Sequence, residues 1–160
     1  MLLDEFERKI LTILQEDAAR PVAEIAKQVG LSATPCWRRI RLLEEAGVIR
    51  GRVALLDRGK LNVGVTVFVA VRTNQHNQDW LERFARAVEG IPEVVEFYRM
   101  AGDVDYLLRV VVPDIAAYDG VYKRLIQRID LNDVSSTFAM EEMKYTTAIP
   151  LSYAARPSGD

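Results

Sequence analysis

The sequence predicts an α+β chain of two domains, in which a helical unit precedes a unit of alternating strands and helices. Up to about position 50, apolar residues recur at helical spacing and are interrupted by turn signals. From position 64 onward, β-branched apolar runs alternate with amphipathic stretches in the order strand, helix, strand, strand, helix, strand. The chain has 160 residues, 49% of them hydrophobic, which is enough for two small cores.

The first two predicted helices carry clear start and stop signals. Asp4 and Glu7 have the spacing of a capping box at the start of the first helix. The apolar stripe of this helix is Phe6, Ile10, Ile13 and Leu14. Pro21 suits the first position of the second helix, where its missing N–H costs nothing. Gly30 ends that helix because glycine adopts the left-handed conformation cheaply.

A third helix follows a short turn centred on glycine. We expect the Ser32 hydroxyl to cap its start and Gly47 to end it. One stripe of this helix is apolar and consists of Cys36, Ile40 and Leu43. The opposite side carries Arg38 and Arg41, and Arg39 lies on a flank of the helix. Arg50 and Arg52 follow the helix. The helix therefore has one side for a core and one basic side.

The basic third helix favours DNA binding. A helix of this kind, held by a short turn against another helix, enters the major groove in helix-turn-helix proteins. The alternative is an ordinary amphipathic helix with solvated arginines. The capped ends and the basic, strand-like run over 51–57, which could form a wing, favour the DNA-binding interpretation. Because the net charge of the chain is only −2, this positive field is local. The sequence predicts a winged helix-turn-helix domain over 1–57.

The second predicted domain spans 64–153, after a charged linker over 58–63. Its predicted strands are 65–71, 94–100, 106–112 and 134–145. Asn77 or Asp79 caps its first helix, whose stripe includes Leu81 and Val88, and Pro113-Asp114 begins a second helix with Ile115 on its apolar side. This order is the split βαβ arrangement of a ferredoxin-like fold. Residues 154–160 are predicted to be a flexible tail.

Composition and motifs disfavour several classes of protein. No apolar run approaches membrane-spanning length, and the first residues do not form a signal peptide, so we expect a cytoplasmic protein with no membrane partner. One cysteine and one histidine, Cys36 and His76, exclude an internal disulfide and argue against a zinc site. Without a phosphate loop or a nucleophile–histidine motif, we expect no enzymatic activity, no metal and no cofactor.

Isolated reactive residues have plainer interpretations. Cys36 suits a core position for a small hydrophobe, and a redox switch there is the less favoured alternative. His76 is expected to be a solvated loop residue. Glu141 and Glu142 are expected to point to opposite faces of the long last strand.

Three segments, GLSATPCWRRIRLLEEAGVIRG, AGDVDYLLRV and FAMEEMKY, resemble the Lrp/AsnC (feast/famine) family of bacterial and archaeal transcription regulators. The resemblance covers nearly the whole chain and is closest to a branch that includes a regulator of cysteine detoxification. It implies a winged helix-turn-helix that binds double-stranded DNA and a ferredoxin-like domain that dimerises and binds small molecules, often amino acids. It also implies homodimers that assemble further, typically into octamers.

The resemblance, together with the basic pattern, gives candidate DNA-binding residues. These are Ser32, Thr34, Pro35, Trp37, Arg38, Arg39, Arg41, Arg50 and Arg52. Leu42 stands where some members of the family carry a basic residue, so the resemblance leaves open how strong the phosphate contact of this helix is.

The resemblance also places an effector site in the second domain. Its loop residues are Met100, Ala101, Gly102, Asp103, Val104 and Asp105. The opposite wall is Ser135, Ser136 and Thr137. Asp103 or Asp105 would accept from the ammonium of an amino acid, and backbone N–H groups around Gly102 would hold its carboxylate. From spacing alone, the aspartates are equally well explained as turn residues that bond their own backbone.

These inferences predict a sequence-specific transcription regulator of amino-acid metabolism, modulated by a small amino acid bound between subunits. One alternative is an architectural DNA-binding protein that is largely independent of ligands. A second is a small-molecule enzyme domain that carries a helix-turn-helix for regulation, which would require turnover of the ligand.

Overall fold

The computed structural model describes residues 2–75 and 77–155 and divides into two units. The first unit contains the residues up to Ala54 together with those from Lys144 onward, and the second is Leu55–Met143. The position predicted to be a solvated loop histidine, His76, lies outside the described residues. None of the helices in the described ranges is long and apolar enough to cross a membrane.

Three helices form the first unit: α1 (Glu5–Glu16), α2 (Val22–Val29) and α3 (Ala33–Glu45). Their buried side chains make one core of Leu3, Ile10, Leu11, Ile25, Ala26, Val29, Cys36, Ile40 and Leu43. The predicted capping box is present at Asp4, whose carboxylate accepts from the Glu7 backbone N–H at 2.8 Å. The predicted stripe of α1 was partly wrong, because Phe6 is half-exposed and Leu11 is buried instead.

Of the four residues predicted to begin or end α2 and α3, two behave as predicted and two do not. Gly30 and Gly47 adopt positive φ angles of 80° and 71°, as predicted for residues that end helices. Pro21 lies at the N-cap of α2 rather than at its first helical position. Ser32 occupies the N-cap of α3, but within the described part of the chain its hydroxyl makes no capping hydrogen bond. That hydroxyl is available for another partner.

The strand predicted over 51–57 is not formed by the single chain. Within the described ranges no strand lies between α3 and residue 65, so these residues lack the neighbour that a ladder requires. Val53, Leu55 and Leu56 are 82%, 66% and 70% exposed. In place of the predicted basic wing, residues 51–57 form an irregular segment with exposed apolar side chains.

The second unit has the predicted ferredoxin-like βαββαβ order, which is confirmed. Its elements are β1 (Val65–Arg72), α4 (Gln78–Glu89), β2 (Val94–Arg99), β3 (Tyr106–Val112), α5 (Ile115–Arg128) and β4 (Asp133–Phe138). The four antiparallel strands lie in the order β2-β3-β1-β4. Alternation in β1 directs Val67, Val69 and Val71 into the core and leaves Phe68 on the open face of the sheet.

Both helices of the second unit pack on one face of the sheet. Asn77 caps α4 by accepting from the Trp80 N–H at 2.8 Å, and Asp114 caps α5. Trp80 is buried and donates its indole N–H to the Asp130 carbonyl, although it was outside the predicted stripe. Ile115 was predicted on the apolar side of α5 and is 70% exposed, because Val121 takes part in the core instead.

The last strand is shorter than predicted. It ends at Phe138, after which the Ala139 N–H donates to the Thr66 carbonyl at 2.9 Å, and residues 139–150 are irregular and exposed. Glu141 and Glu142 consequently do not lie in a strand, and Glu142 pairs with Arg58. The chain then turns through a short 3₁₀ segment, Leu151–Tyr153.

The end of the described chain returns to the first unit. The predicted division placed 64–153 in the second domain and treated 154–160 as a tail. Instead, Ala155 accepts from the Leu3 N–H at 2.9 Å, and Leu151 and Ala154 pack against the first core. Long-range contacts of this kind leave no mark on local sequence patterns.

Candidate DNA-binding helix and effector loop

Helix α3 presents a polar and basic surface because its apolar stripe is buried. Cys36, Ile40 and Leu43 are at most 3% exposed and hold the helix against α1 and α2. The opposite side is open to solvent. Its exposed side chains are Thr34, Pro35, Trp37, Arg38, Arg41 and Leu42. Six predicted DNA-binding residues, counting Ser32 at the N-cap, thus lie at or along one exposed side of the recognition helix.

The arginines of the first unit differ in their partners. The Arg41 guanidinium lies 3.5 Å from Glu45 and 3.9 Å from Glu44, and Arg52 bonds Glu44 at 2.9 Å. Arg38 and Arg50 are exposed and form no ion pair with any described residue. Exposed pairs of this kind are weak, so phosphate groups can compete for these arginines.

Arg39 lies in a different environment from the one the sequence predicted. Its guanidinium pairs with the Asp4 carboxylate and lies 3.6 Å from Glu7 Oε1. Its central carbon is also 5.4 Å from the centre of the Phe6 ring. Arg39 therefore joins α3 to the start of α1, and its charge is already engaged within the unit.

Cys36 has the environment of a core residue. The side chain is fully buried, and this burial raises the pKa of the thiol, an effect that the nearby Arg39 charge only partly opposes. A protonated, enclosed thiol is a poor nucleophile. The geometry thus supports the predicted packing role over the redox alternative.

The loop over 100–105 joins β2 to β3 and is fixed by main-chain bonds. The Met100 N–H donates to the Asp105 carbonyl at 2.8 Å, and the Asp105 N–H donates to the Val71 carbonyl at 3.1 Å. Gly102 has a φ of 124°, which a residue with a side chain adopts only with strain. The loop therefore has a defined shape.

The side chains of Asp103 and Asp105 differ in their hydrogen bonding. Asp105 Oδ2 accepts from the Thr73 N–H at 2.8 Å, so one oxygen of this carboxylate fastens the loop to the end of β1. The Asp103 side chain is exposed and has no hydrogen bond to any residue in the described ranges. The predicted turn role thus fits Asp105 in part, although its partner is on a neighbouring strand, and the Asp103 carboxylate remains open to a ligand.

Arg72 links the loop to β4 and was missed by the sequence analysis. Its Nε donates to the Asp103 carbonyl at 2.7 Å, and its Nη1 lies 3.2 Å from Asp133 Oδ2. Only the pairing of β1 with β4 brings Arg72 beside Asp133, so no local signal in the sequence could have found it.

The predicted serine–threonine wall divides between the two faces of the sheet. Ser135 and Thr137 pair with Ala70 and Phe68 and share the open face with them. Ser136 pairs with Val69, points to the helical layer and bonds the Tyr118 hydroxyl. Ser136 therefore does not belong with the other two, because successive side chains of a strand alternate between faces.

A small open pocket of about 120 Å³ lies beside the loop, on the side of α4. Its lining residues are Asn77, Gln78, Leu81, Arg99, Met100, Asp105 and Tyr106. It combines one guanidinium, one carboxylate and two side-chain amides, and the two opposite charges could pair with the carboxylate and the ammonium of a zwitterionic amino acid. Of the predicted site it includes Met100 and Asp105. Arg99 was not among the predicted site residues, although its position at the end of β2, directly before the loop, was a usable signal.

Comparison with known proteins gives two matched regions. The profile described as Lrp/AsnC ligand binding domain matches residues 66–149, and the profile described as winged helix-turn-helix DNA-binding matches residues 3–50. The glutamate uptake regulatory protein of Zymomonas mobilis is 54% identical, over 93% of this chain and 91% of that protein. The DNA-binding transcriptional activator DecR of Escherichia coli is 46% identical, over 94% of this chain and 99% of that protein.

Solved structures resemble the chain over nearly its full length. An AsnC family transcriptional regulator from Agrobacterium tumefaciens is 66% identical with a TM-score of 0.92, covering 94% of this chain and 99% of its own. A transcriptional regulator from Neisseria meningitidis, solved as a complex with L-Met, is 36% identical with a TM-score of 0.89, covering 94% and 97%.

Proposed function

This chain is a DNA-binding transcriptional regulator of the Lrp/AsnC family, and from that premise we propose that it regulates genes of amino-acid metabolism in response to a free amino acid held at the 100–105 loop. The observation that carries the proposal is the pocket in which Arg99 and Asp105 place opposite charges beside that loop. It lies within the region that matches the ligand-binding domain. The protein acts in the cytoplasm, where its DNA is.

In the proposed DNA complex, α3 enters the major groove. Trp37, Arg38 and Arg41 are its exposed side chains of greatest reach, so they contact base edges and phosphates. Ser32 and Thr34, at the start of the helix, bond phosphate oxygens, and Pro35 packs against the sugar-phosphate backbone. Arg50 and Arg52, on the irregular segment after α3, add contacts to the flanking phosphates.

The proposed effector is recognised by its two charges. Arg99 binds the carboxylate, together with N–H groups of the loop from Ala101 to Val104. The ammonium is accepted by Asp103 or by the free oxygen of Asp105, since the other Asp105 oxygen is bonded to Thr73. Ser135 and Thr137 lie on the open face of the sheet, away from this pocket, so in the proposed site they contact the ligand only from a second subunit.

The proposed assembly is a homodimer that associates further, up to an octamer. The open face of the sheet carries Phe68 and Tyr98, which are 39% and 49% exposed, and Val53 is 82% exposed on the irregular segment after α3. A second copy of the chain would remove these apolar surfaces from water. A dimer also presents two recognition helices to two half-sites, which one short helix needs for useful affinity. Light scattering that reports a DNA-binding monomer at micromolar concentration would contradict this assembly.

The names of similar proteins suggest which amino acids to test first as the effector. One relative is named for glutamate uptake, and one similar structure holds L-Met. We therefore rank methionine and glutamate among the first candidates for this chain, and add cysteine because the sequence resembles the branch that includes a regulator of cysteine detoxification. In this proposal the effector is a regulatory ligand that is bound and released unchanged.

The test is a thermal-shift screen of the twenty amino acids, followed by DNA-binding assays with and without the best ligand. A ligand at ~100 times its Kd adds about 2.7 kcal/mol to the free energy of unfolding. We expect one or a few amino acids to raise the melting temperature and to change DNA affinity. No shift with any amino acid, combined with DNA binding of little sequence preference, would support the architectural alternative. Chemical conversion of the ligand would support the enzyme alternative.

A further inference from the structure

The segment 149–155, which we name the C-terminal strap, is fastened to α1 by a single arginine. Arg8 donates from Nη1 to the Leu151 carbonyl and from Nη2 to the carbonyls of Ala154 and Ala155, at 2.5, 2.7 and 3.1 Å. Its Nε donates to the Leu3 carbonyl at 3.2 Å. One planar guanidinium therefore satisfies four main-chain oxygens, three of them in the strap.

A second attachment lies at the other end of the same helix. The Gln15 side chain accepts from the Ile149 N–H at 2.7 Å and donates to the Ile149 carbonyl at 3.3 Å. The Leu3 N–H closes the arrangement by donating to the Ala155 carbonyl. The strap thus runs along α1 and is held at both ends of that helix.

Apolar contacts accompany these polar ones. Leu151 and Ala154 are half-buried and pack against the core of the first unit. Ordering a chain end costs conformational entropy, which polar bonds at a surface offset poorly. The combination of apolar anchors and a bidentate side chain at each end is what an ordered attachment requires.

The turn of α1 that holds the strap also holds the recognition helix. Asp4 and Glu7 bind Arg39 of α3, and Arg8 follows Glu7 directly. The strap itself follows β4, which pairs with β1 in the second unit and carries Ser135 and Thr137. The chain accordingly connects the two units twice, once after Ala54 and once before Lys144.

We propose that the C-terminal strap is the element through which effector binding reaches the DNA-binding unit. Its attached state fixes the start of α1 and, through Asp4 and Glu7, the position of Arg39 on α3. An effector that contacts Ser135 and Thr137 of β4 biases the equilibrium between attached and released strap, because residues 139–148, which form no helix or strand, join the end of β4 to the strap. This proposal rests on the proposed function, and a ligand can act in this way only if it binds the two states unequally.

The first test uses the full chain and needs no ligand. In Arg8→Ala and Gln15→Ala, amide hydrogen exchange of the peptide that contains 149–155 should accelerate roughly tenfold or more, because exchange then reports the released strap. Two matched controls are available on the same unit. Among the described residues Lys9 pairs with Glu5 alone, and Gln28 bonds Arg20, so Lys9→Ala and Gln28→Ala should exchange as the wild type does. Equally fast exchange of the strap in the wild type and both variants would overturn the attachment.

The second test measures coupling. The ratio of DNA affinities with and without the amino acid found by the screen should fall to near 1 in Arg8→Ala and Gln15→Ala, because both variants stay in the released state whether or not the ligand is bound. Their DNA affinity should be that of the released state under both conditions. An unchanged ratio in variants whose strap exchanges fast would overturn the proposal. If the wild type itself shows no effector response, the proposed function fails and the coupling role fails with it. The hydrogen-exchange experiment needs no ligand, so it tests the attachment of the strap even if the proposed function fails. Gln15→Ala is the variant to use if Arg8→Ala does not fold.

Discussion

The guanidinium of Arg39, on the recognition helix, pairs with the carboxylate of Asp4, the residue that caps α1. The same carboxylate accepts from the Glu7 N–H, and Glu7 Oε1 lies 3.6 Å from Arg39. One charge cluster therefore caps the first helix and also fixes the third helix against it. The tilt of α3 depends on a contact that its own sequence does not disclose.

Arg39→Ala should destabilise the first unit. The side chains of Asp4 and Glu7 would lose their cation at a half-buried position, which costs about 1–2 kcal/mol of unfolding free energy. Calorimetry of the full chain should show the change, and Lys9→Ala is the matched control because its ion pair with Glu5 is exposed. If the stability of the variant is unchanged and the slope of its log DNA affinity against log salt falls by about 1, Arg39 contacts DNA instead.

Arg38→Ala and Arg41→Ala should each weaken DNA binding with little effect on stability. Both side chains are exposed on α3, so each should reduce the slope of log affinity against log salt by about 1. Fluorescence anisotropy at four salt concentrations measures this slope. Arg83→Ala, which removes the same charge from an exposed position on α4, should leave the slope unaltered. If a variant keeps the wild-type slope and the wild-type affinity, the arginine that it lacks does not contact DNA.

Much of the fold could be predicted from short stretches of sequence, because helix caps and strand ends depend on neighbouring residues. The capping box at Asp4, the Asn77 cap and the positive φ of Gly47 follow from side-chain chemistry over three or four residues. Strand β3 was predicted with its observed bounds, because polar turns flank its apolar run. Predictions of this kind succeed when the local preference and the fold agree.

Features decided by distant parts of the chain could not be predicted. The run over 51–57 has strand-forming residues, but the single chain provides no neighbouring strand. Ala154 and Ala155 were predicted as part of a flexible tail, whereas Arg8, far away in sequence, binds both carbonyls. At the candidate site, the same limit separates Ser136 from Ser135 and conceals the role of Arg72, because both depend on strand register.

Glu93→Gln should reduce stability at neutral pH and have little effect in acid. The Arg124 guanidinium bonds Glu93 Oε1 at 2.5 Å and holds the pKa of this carboxyl below its usual range. A depressed pKa in the folded state means that the stabilisation is present above the unfolded pKa, about 4.3, and is lost as pH falls through the folded value.

Urea unfolding at pH 7 and pH 3 tests this sign. The half-exposed pair should contribute about 0.5–1 kcal/mol at pH 7, and the difference between wild type and variant should shrink toward zero at pH 3. Glu89→Gln, at an exposed position on α4, should make no difference at either pH. An equal loss at both pH values would show that packing, rather than charge, explains the Glu93 effect.

The Cys36 thiol should react slowly in the native protein. The side chain is fully buried and its pKa is raised by that burial, so few molecules present an accessible thiolate at pH 8. A chromogenic disulfide reagent should label the thiol at a rate that rises steeply with added urea. Rapid stoichiometric labelling without urea, or an oxidant effect on DNA binding that Cys36→Ala abolishes, would revive the redox alternative.

Asp103→Ala and Asp105→Ala should have different effects, because only Asp105 has a structural partner. Removing the Asp105 carboxylate leaves the Thr73 N–H without its acceptor and should cost about 1–3 kcal/mol. Asp103 is exposed and contributes its carbonyl, not its side chain, to the Arg72 bond, so Asp103→Ala should unfold as the wild type does.

The effector response then separates the two possible acceptors of the ammonium. If Asp103 holds it, Asp103→Ala should abolish calorimetric binding of the amino acid while DNA binding without ligand persists, since the loop lies outside the helix-turn-helix. Asp103→Asn is the conservative partner, because it keeps the shape and removes only the charge. Gly102→Val is a less informative variant, since a φ of 124° strains any side chain and would disturb the loop by itself. Wild-type ligand binding by Asp103→Ala would leave Asp105 as the acceptor, and wild-type binding by both variants would place the effector site elsewhere.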